Sequence, residues 1–352
     1  LCVGLVSAGV YPTDSAEQGR YLLDDCRSRV HFVEDDEQLD KALEVVDRLP
    51  GLSTIVVFDE RGLELFHDPR VMTWAAFVAL GDDGEGVAPV DFRALLDAPG
   101  PDDVAVLIYT SGTTGAPKGA MLTNANLVSQ LLNGDARWRL DPGGEQLCFL
   151  PLCHIAEKTF SMIMPLRWGT VISFAESGDT VPENLLEVRP HGFFAVPRIW
   201  EKFYSRIDLA MREASAPGRL AYRWALSVGT RRAEAVLEGR PVSARLEAAY
   251  RLAHALVLRP GKTLLGLGRL RFAVTGAAPI SPALIQWFRA LGVPLREAYG
   301  LTEASGLAAI APEGRYRLGW VGSWSDAVAM RLSDEGEILI RGPHVFKGYL
   351  NR

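Results

Sequence analysis

The sequence has no long apolar segment. Among its 352 residues, no apolar run approaches the roughly 20 residues that a membrane-spanning helix needs. It also lacks the basic segment that opens a secretory signal peptide, because the first residues reach Pro12 and Asp14 almost at once. We therefore predict neither a membrane-spanning protein nor one that carries a signal peptide.

Cysteine is scarce as well. Four cysteines in a chain of this length predict a reducing compartment rather than a disulfide framework. Cys148, Cys153 and His154 could be metal ligands by residue type, but no second cluster of matching spacing accompanies them. We interpret the two thiols as buried groups beside an apolar wall, and we predict a cytoplasmic location.

Positive charge is not in excess. Lysine and arginine number 37 against 43 aspartates and glutamates, so the net charge of −6 argues against a general nucleic-acid binder. An apolar share of 48% and a charged share of 23% are typical of globular proteins. The length predicts two or three subdomains rather than one simple core. No repeat or low-complexity segment stands out.

The N-terminal part of the chain alternates between strand and helix patterns. Apolar runs at residues 1–10, 30–33 and 53–58 predict strands, and the patterns at 15–28 and 36–46 predict helices. Strands that alternate with helices at this spacing indicate βαβ units and a parallel sheet. The predicted fold class is therefore α/β.

The later part of the chain repeats this alternation and ends in a small β unit. Helices are predicted at 123–138, 156–166, 197–212 and 281–291, the last capped by Ser281, and strands at 146–150, 170–174, 193–196, 271–275, 294–298, 328–332 and 337–341.

One segment combines glycines, hydroxyl groups and a lysine directly after an apolar run. Residues 109–119 read Tyr-Thr-Ser-Gly-Thr-Thr-Gly-Ala-Pro-Lys-Gly, and they predict a buried strand that opens into a loop. Glycines allow backbone N–H groups to approach an anion closely, and hydroxyls add donors. Lys118 adds a positive charge, so we predict a loop that binds polyphosphate. It is not a Walker A loop, because Lys118 precedes Gly119 rather than Ser or Thr.

A second segment carries groups suited to a nucleotide and a metal ion. Residues 299–306 read Tyr-Gly-Leu-Thr-Glu-Ala-Ser-Gly and follow a predicted strand. Tyr299 offers a flat face to a purine, and Thr302 offers a hydroxyl to a phosphate. Glu303 offers a carboxylate to Mg²⁺, which prefers one or two carboxylates together with phosphate oxygens.

Two further motifs are weaker alone. The turn Gly-Ala-Ala-Pro at residues 276–279 follows a strand, and its small residues would let the backbone reach a nucleotide, although such turns are often only structural. His154 closes the run Leu-Pro-Leu-Cys-His and is either a structural histidine or a group beside the substrate.

Together these motifs resemble the adenylate-forming superfamily, which includes acyl-CoA synthetases, luciferases and the adenylation domains of peptide synthetases. The segment at 109–119 resembles the phosphate loop of that superfamily, and the segment at 299–303 follows about 190 residues later, as it does there. Residues 194–202 and a basic helical insert at 206–268 resemble long-chain and bubblegum-type fatty acyl-CoA synthetases. Residues 336–343 resemble the last strand pair of the superfamily's large domain.

The resemblance implies a fold and a domain plan. The fold is that of the large domain of an adenylate-forming enzyme, with two βαβ-type sheet subdomains, helices and part of a small β-barrel. Residues 1–315 would form the AMP-binding region, and 316–352 would form an incomplete small β subdomain. We expect both ends to be truncated, with the lysine-bearing C-terminal domain beyond Arg352.

The resemblance also implies roles for individual residues. ATP, Mg²⁺ and coenzyme A are the expected cofactors and co-substrates, and a fatty acid is the expected substrate. The catalytic residues would be Lys118, Thr302, Glu303 and His154. The nucleotide would contact Thr110, Ser111, Gly112, Thr113, Thr114, Gly115, Gly276, Ala277, Ala278, Pro279, Glu297, Ala298, Tyr299 and Gly300. Glu303 and Thr110 would lie at the metal.

Several alternatives stay open at this point. The chain could bind a nucleotide or a lipid with little catalysis, or it could activate another carboxylic acid, against which the long insert argues. Residues 198–271 hold 15 Lys and Arg against 6 Asp and Glu, which indicates either a solvated helical face or a surface for an anionic membrane or a phosphorylated substrate.

Relatives that act on long chains often place an aromatic residue, which gates the acyl tunnel, shortly after the histidine that corresponds to His154. Here Glu157 and Lys158 follow, and Phe160 is the nearest aromatic residue.

Overall fold

A computed structural model describes residues 3–82, 91–110, 115–135, 137, 139–312, 316–323 and 328–352. The chain divides into two compact units. The first unit comprises Leu1–Asn124 and Phe346–Arg352, and the second comprises Ala125–Val345. The division at residue 316, which was based on motif order, stays a prediction.

The first unit alternates strands and helices. In chain order its elements are β1 (Ser7–Ala8), α1 (Ala16–Asp25), β2 (Val30–Val33), α2 (Asp36–Val45), a 3₁₀ turn (Val46–Arg48), β3 (Thr54–Val57), β4 (Val71–Thr73), α3 (Trp74–Asp82), α4 (Phe92–Asp97), β5 (Val104–Thr110) and β6 (Lys118–Thr123).

Local sequence explains where the first helices begin. Before α1, the Ser15 hydroxyl accepts the Gln18 backbone N–H, and the Gln18 side chain accepts the Ser15 N–H, which forms a capping box. Before α2, the Asp35 carboxylate accepts the N–H of Gln38. Both helices pack on the parallel sheet β2–β3–β4. The predicted βαβ arrangement is confirmed for β2, α2 and β3, whereas β1 pairs with β5 in another sheet.

A second sheet holds the predicted phosphate segment. Its order is β1–β5–β6–β15, where β15 is Gly348–Tyr349, and β5 and β6 are antiparallel with Thr110 opposite Lys118. The sequence predicted a loop followed directly by a helix in this region, and this was wrong because the strand β6 lies between them.

The second unit is larger. Its elements are α5 (Asn124–Asp135), β7 (Glu145–Cys148), α6 (Ile155–Glu157), a π-helical segment (Lys158–Ile163), α7 (Met164–Trp168), β8 (Val171–Phe174), α8 (Val181–Val188), β9 (Gly192–Ala195), α9 (Pro197–Glu213), α10 (Ala216–Leu237), α11 (Ala244–Ala253), a second π-helical segment (His254–Leu258), α12 (Arg259–Leu264), β10 (Phe272–Thr275), α13 (Pro282–Ala290), β11 (Leu295–Leu301), a 3₁₀ turn (Thr302–Ala304), β12 (Gly306–Ile310), β13 (Ala329–Leu332) and β14 (Ile338–Arg341). The strand β15 follows β14 in the sequence but belongs to the first unit, where it pairs with β6.

The six-stranded sheet of the second unit determines where its loops meet. The strand order is β12–β11–β10–β9–β7–β8, and all neighbours are parallel except β11 and β12. Parallel strands present their carboxyl ends at one edge, where α/β proteins bind ligands. The segments after β7, β10 and β11 therefore meet at that edge. Large buried side chains, including Phe193, Trp200 and Phe288, pack helices against the sheet.

Several predicted elements differ in detail. The helix predicted at 156–166 contains the π-helical segment, and the loop predicted at 299–306 is mostly the end of β11 and the 3₁₀ turn. Ser281 stands at the N-cap of α13 as predicted, but its side chain makes no capping hydrogen bond. In the described part of the chain, no helix is long and apolar enough to cross a membrane.

Candidate nucleotide and acyl site

A cavity of about 210 Å³ lies at the carboxyl edge of the six-stranded sheet. Seven residues that the sequence analysis selected line it: His154, Gly276, Ala277, Ala298, Tyr299, Gly300 and Thr302. The other lining residues are Ile155, Ala156, Thr159, Phe160, Met164, Phe194, Val274, Leu301, Gly306 and Leu307. Segments that are far apart in the sequence thus form one site.

The turn after β11 has an unusual backbone. The register of β11 and β12 shifts between Tyr299 and Gly300, and a Cβ at Gly300 would overlap the carbonyl oxygen of Gly306. Ser305 adopts a left-handed conformation with φ of 55°, which is uncommon for a residue with a side chain. Thr302 is buried, and Glu303 is half-buried. The backbone therefore places both predicted catalytic side chains on one short turn.

The segment after β10 is strained as well. Ala277 has φ of 67°, so a residue with a side chain occupies the left-handed region at the cavity. Strain of this kind persists only where surrounding structure imposes it, and it is common at ligand sites. Ala278 and Pro279 are exposed beside it. Glu297 on β11 is buried, and burial raises the pKa of its carboxyl group, while the backbone N–H of Ile280 partly opposes this.

His154 is held by its own backbone surroundings. It is the N-cap residue of α6, and its Nδ1 accepts the N–H of Ala156 at 3.1 Å. Burial lowers the pKa of the imidazole. Since Nδ1 is an acceptor, the neutral ring carries its hydrogen on Nε2. A neutral donor of this kind can hydrogen-bond a carboxylate without adding a charge.

The residues that follow His154 divide between two faces. Thr159 and Phe160 line the cavity, whereas Glu157 accepts a hydrogen bond from the Ser161 hydroxyl at 2.7 Å. Burial raises the pKa of Glu157. Burial, together with the nearby Glu157 carboxyl group, raises the pKa of the Cys148 thiol to about 12. The Glu157 group thus ties the π-helical segment to the end of β7, and Glu157 is not among the residues that line the cavity.

The inner wall of the cavity is apolar. Phe160 lies 6.1 Å from Phe194 and 5.9 Å from Phe272, measured between ring centroids. Phe160 and Met164 belong to a buried cluster. His154, Tyr299 and Thr302 supply polar groups to the same cavity. The cavity therefore suits a molecule with one polar end and one apolar end.

The other predicted site residues of the second unit lie close in sequence to the cavity. Ala278, Pro279, Glu297 and Glu303 belong to the segments that line it but are not themselves lining residues. Apart from Phe160, which the sequence indicated as the nearest aromatic residue after His154, the apolar lining residues on α6, the π-helical segment and α7 were missed. Ala156, Phe160 and Met164 recur at intervals of four residues, and this helical spacing was the signal that could have identified them.

The remaining predicted residues belong to the first unit. Lys118 begins β6, and its Nζ lies 5.3 Å from the centroid of the Tyr349 ring, in the range of a cation–π contact. Thr110 ends β5, and Gly115 is exposed with φ of 112°. Ser111, Gly112, Thr113 and Thr114 lie outside the described residues. The meeting of Lys118 with Glu303 therefore stays a prediction.

The fold and the cavity define an α/β protein with a pocket at the carboxyl edge of its parallel strands, lined by polar groups and an apolar wall. A family model described as AMP-binding enzyme matches residues 1–350. The chain belongs to this family of AMP-binding enzymes.

Curated relatives support the family membership. The long-chain-fatty-acid–CoA ligase ACSBG2 of Xenopus laevis is 32% identical over 360 residues, which cover 99% of this chain and 48% of that protein. The putative fatty-acid–CoA ligase fadD11 of Mycobacterium tuberculosis is 38% identical over 260 residues, which cover 74% of this chain and 46% of that protein. The chain spans about half the length of the curated relatives it matches.

Solved structures support the fold. The long-chain-fatty-acid-CoA ligase FadD1 from Archaeoglobus fulgidus matches with a TM-score of 0.63 and 19% identity, over 99% of this chain and 60% of that chain. The anthranilate CoA ligase AuaEII in complex with anthranoyl-AMP matches with a TM-score of 0.64 and 19% identity, over 99% of this chain and 57% of that chain. The predicted adenylate-forming α/β fold is therefore confirmed.

Proposed function

We propose that this protein activates a long-chain fatty acid with ATP and transfers the acyl group to coenzyme A. The observation that carries the proposal is the cavity, whose polar groups and apolar wall match a fatty acid with its carboxylate towards the nucleotide. Membership of the AMP-binding family supports the use of ATP. The names of the curated relatives support the choice of acid.

The chemistry has two steps. A carboxylate oxygen attacks the α-phosphorus of ATP, the bond to the β-phosphate oxygen breaks, and pyrophosphate leaves with the electron pair. The sulfur of coenzyme A then attacks the carbonyl carbon of the acyl-adenylate. The bond to the AMP oxygen breaks, the thiol proton is lost, and acyl-CoA and AMP are released.

The first step brings two anions together, and nearby donors and cations must offset their repulsion. We assign Lys118 to the phosphates and the Thr302 hydroxyl to the α-phosphate. Tyr299 would face the adenine ring, Glu297 would accept from its amino group, and neutral His154 would orient the fatty carboxylate.

A magnesium ion fits the predicted donors. Glu303 and Thr110 offer a carboxylate and a hydroxyl, which are hard oxygen ligands of the type that Mg²⁺ takes beside phosphate oxygens. When bound, Mg²⁺ neutralises charge on the triphosphate. The protein residues then bind and orient the nucleotide.

Isotope exchange between pyrophosphate and ATP tests the proposal directly. With a panel of carboxylic acids of graded length, we expect exchange to be fastest with long-chain acids. Fastest exchange with aryl, short-chain or amino acids would reject a fatty substrate. ATP binding by calorimetry without exchange for any acid would favour the binding-only alternative.

We also propose a cytoplasmic location and a peripheral membrane contact through the basic insert. Residues 244–264 form one helical rod from α11 to α12. The rod exposes Leu252, Leu256 and Leu264, at 53%, 66% and 65%, together with exposed Arg245, Arg251 and Arg259. Exposed leucines beside arginines complement an anionic lipid surface.

Co-sedimentation with vesicles tests this contact. We expect binding to vesicles that contain phosphatidylserine, with a strong decrease at high salt. Leu256→Glu should weaken the binding, whereas Leu65→Glu, which changes a leucine with 93% exposure in the first unit, should not. Equal effects of the two variants would reject the rod as the contact surface.

A further inference from the structure

The turn that carries Thr302 and Glu303 has little support of its own. Its three 3₁₀ residues are closed by one backbone hydrogen bond, from the Ser305 N–H to the Thr302 carbonyl at 2.9 Å. Ser305 then adopts the left-handed conformation, with φ of 55°. A short turn followed by such a residue requires stabilisation from outside the turn.

Gln130 on α5 supplies this stabilisation. Its Nε2 donates to the carbonyl of Ala304 at 2.6 Å and to the carbonyl of Leu307 at 2.8 Å. These two carbonyls lie on either side of Ser305 and Gly306. One fully buried amide group thus bridges both ends of the irregular backbone.

A second support of the turn also leads to α5. The Ser305 hydroxyl donates to the carbonyl of His344 at 2.7 Å. Asn126 donates from its amide to the carbonyls of Pro343 and Val345, at 2.8 and 2.9 Å. The turn is therefore held from two sides by amide side chains of one helix.

Packing alone does not explain a glutamine at position 130. Its side chain has 0% exposure, and its Oε1 has no hydrogen-bond partner within the described residues. A methionine of similar length would fill the same space without burying an unpaired oxygen. What glutamine adds is the pair of donors to the turn.

We propose that Gln130 is a positioning residue for the adenylation reaction. It holds Thr302 and Glu303 in place by bridging the carbonyls of Ala304 and Leu307. The inference rests on the proposed function, in which Thr302 binds the α-phosphate and Glu303 binds the metal ion.

The test compares Gln130→Met with Gln146→Met. Gln146 is a matched control, because it also has 0% exposure in the same unit, and its amide donates to the carbonyl of Phe160 at 3.1 Å instead of to the turn. Hydrogen–deuterium exchange is followed in peptides that cover residues 300–308. Pyrophosphate exchange gives kcat and the KM for the fatty acid.

For Gln130→Met, we expect exchange at residues 300–308 to rise about tenfold or more, because local opening of the turn becomes easier. The kcat should fall about tenfold or more, as small displacements of catalytic groups are costly, while the KM for the fatty acid stays within about threefold. Gln146→Met should reduce thermal stability to a similar degree and leave exchange at the turn unchanged.

Unchanged hydrogen exchange at the turn in Gln130→Met would overturn the inference, and so would an equal rise in Gln146→Met. An unchanged kcat despite a loosened turn would also overturn it. If the unaltered protein activates no carboxylic acid, the proposed function fails. The hydrogen-exchange comparison would still decide whether Gln130 holds the turn, so the two failures are distinguishable.

Discussion

Replacing Phe160 with alanine should change which acids the protein accepts. Phe160 is 5% exposed and forms part of the inner wall of the cavity of about 210 Å³. Its ring contacts Phe194 and Phe272. Removal of the ring would extend the cavity into the buried cluster, and the additional space would be apolar.

The expected cost in stability follows from the burial of the ring. Truncation of a buried phenylalanine to alanine costs about 3–5 kcal/mol. For a unit of this size, that loss corresponds to a decrease in Tm of about 6–20 °C. A gain in substrate length should accompany the loss, since one additional buried methylene changes kcat/KM about 10-fold or more.

The assay measures pyrophosphate exchange over the acid panel, together with Tm. Phe203→Ala is the matched control, because Phe203 is 4% exposed in the other large core cluster of the same unit. Both variants should lose stability, but only Phe160→Ala should shift the preference towards longer or branched acids. The same preference among the acids in both variants would refute the assignment of Phe160 to the apolar wall that contacts the acyl chain.

Three further predictions follow from single residues. Burial lowers the pKa of His31 from 6.5 to about 4, so the unfolded state binds more protons below pH 6.5, and stability falls as the pH decreases. Urea unfolding at pH 7 and pH 5 measures how much free energy of unfolding each protein loses on acidification. This loss should be about 2 kcal/mol smaller in His31→Gln than in the unaltered protein. The same loss in both proteins would contradict the prediction. Glu303→Ala should slow pyrophosphate exchange about tenfold or more, and an unaltered rate would reject its role at the metal. Gly300→Ala should lower Tm, because its Cβ overlaps the Gly306 carbonyl; an unchanged Tm would show that the turn adapts.

Local sequence was sufficient for most helices and for the strand-end motifs. Ser15 and Asp35 have the side chains that begin α1 and α2. The motifs at His154, Gly276 and Tyr299 each follow or end a buried strand, and the parallel sheet brings them together. The order of the strands could not be predicted, because it depends on pairings between distant segments.

The elements that were missed depend on non-local contacts. The strand β6 starts with Lys118 and Gly119, which have little preference for strands, and its pairing with β5 determines its conformation. The π-helical segment begins directly after buried Glu157, and its Ser161 hydroxyl donates to the Glu157 carboxylate. Apolar spacing does not separate a π-helix from an α-helix. The left-handed Ser305 is likewise held by contacts with His344 that no local pattern indicates.

We propose that Lys118 and Glu303 bind one magnesium–nucleotide complex. A crystal structure with Mn²⁺ and a non-hydrolysable ATP analogue tests it most directly, since anomalous scattering locates the metal. We expect Mn²⁺ at the Glu303 carboxylate and the Lys118 ammonium at the phosphates of the same nucleotide. A nucleotide bound away from either side chain would reject this proposal.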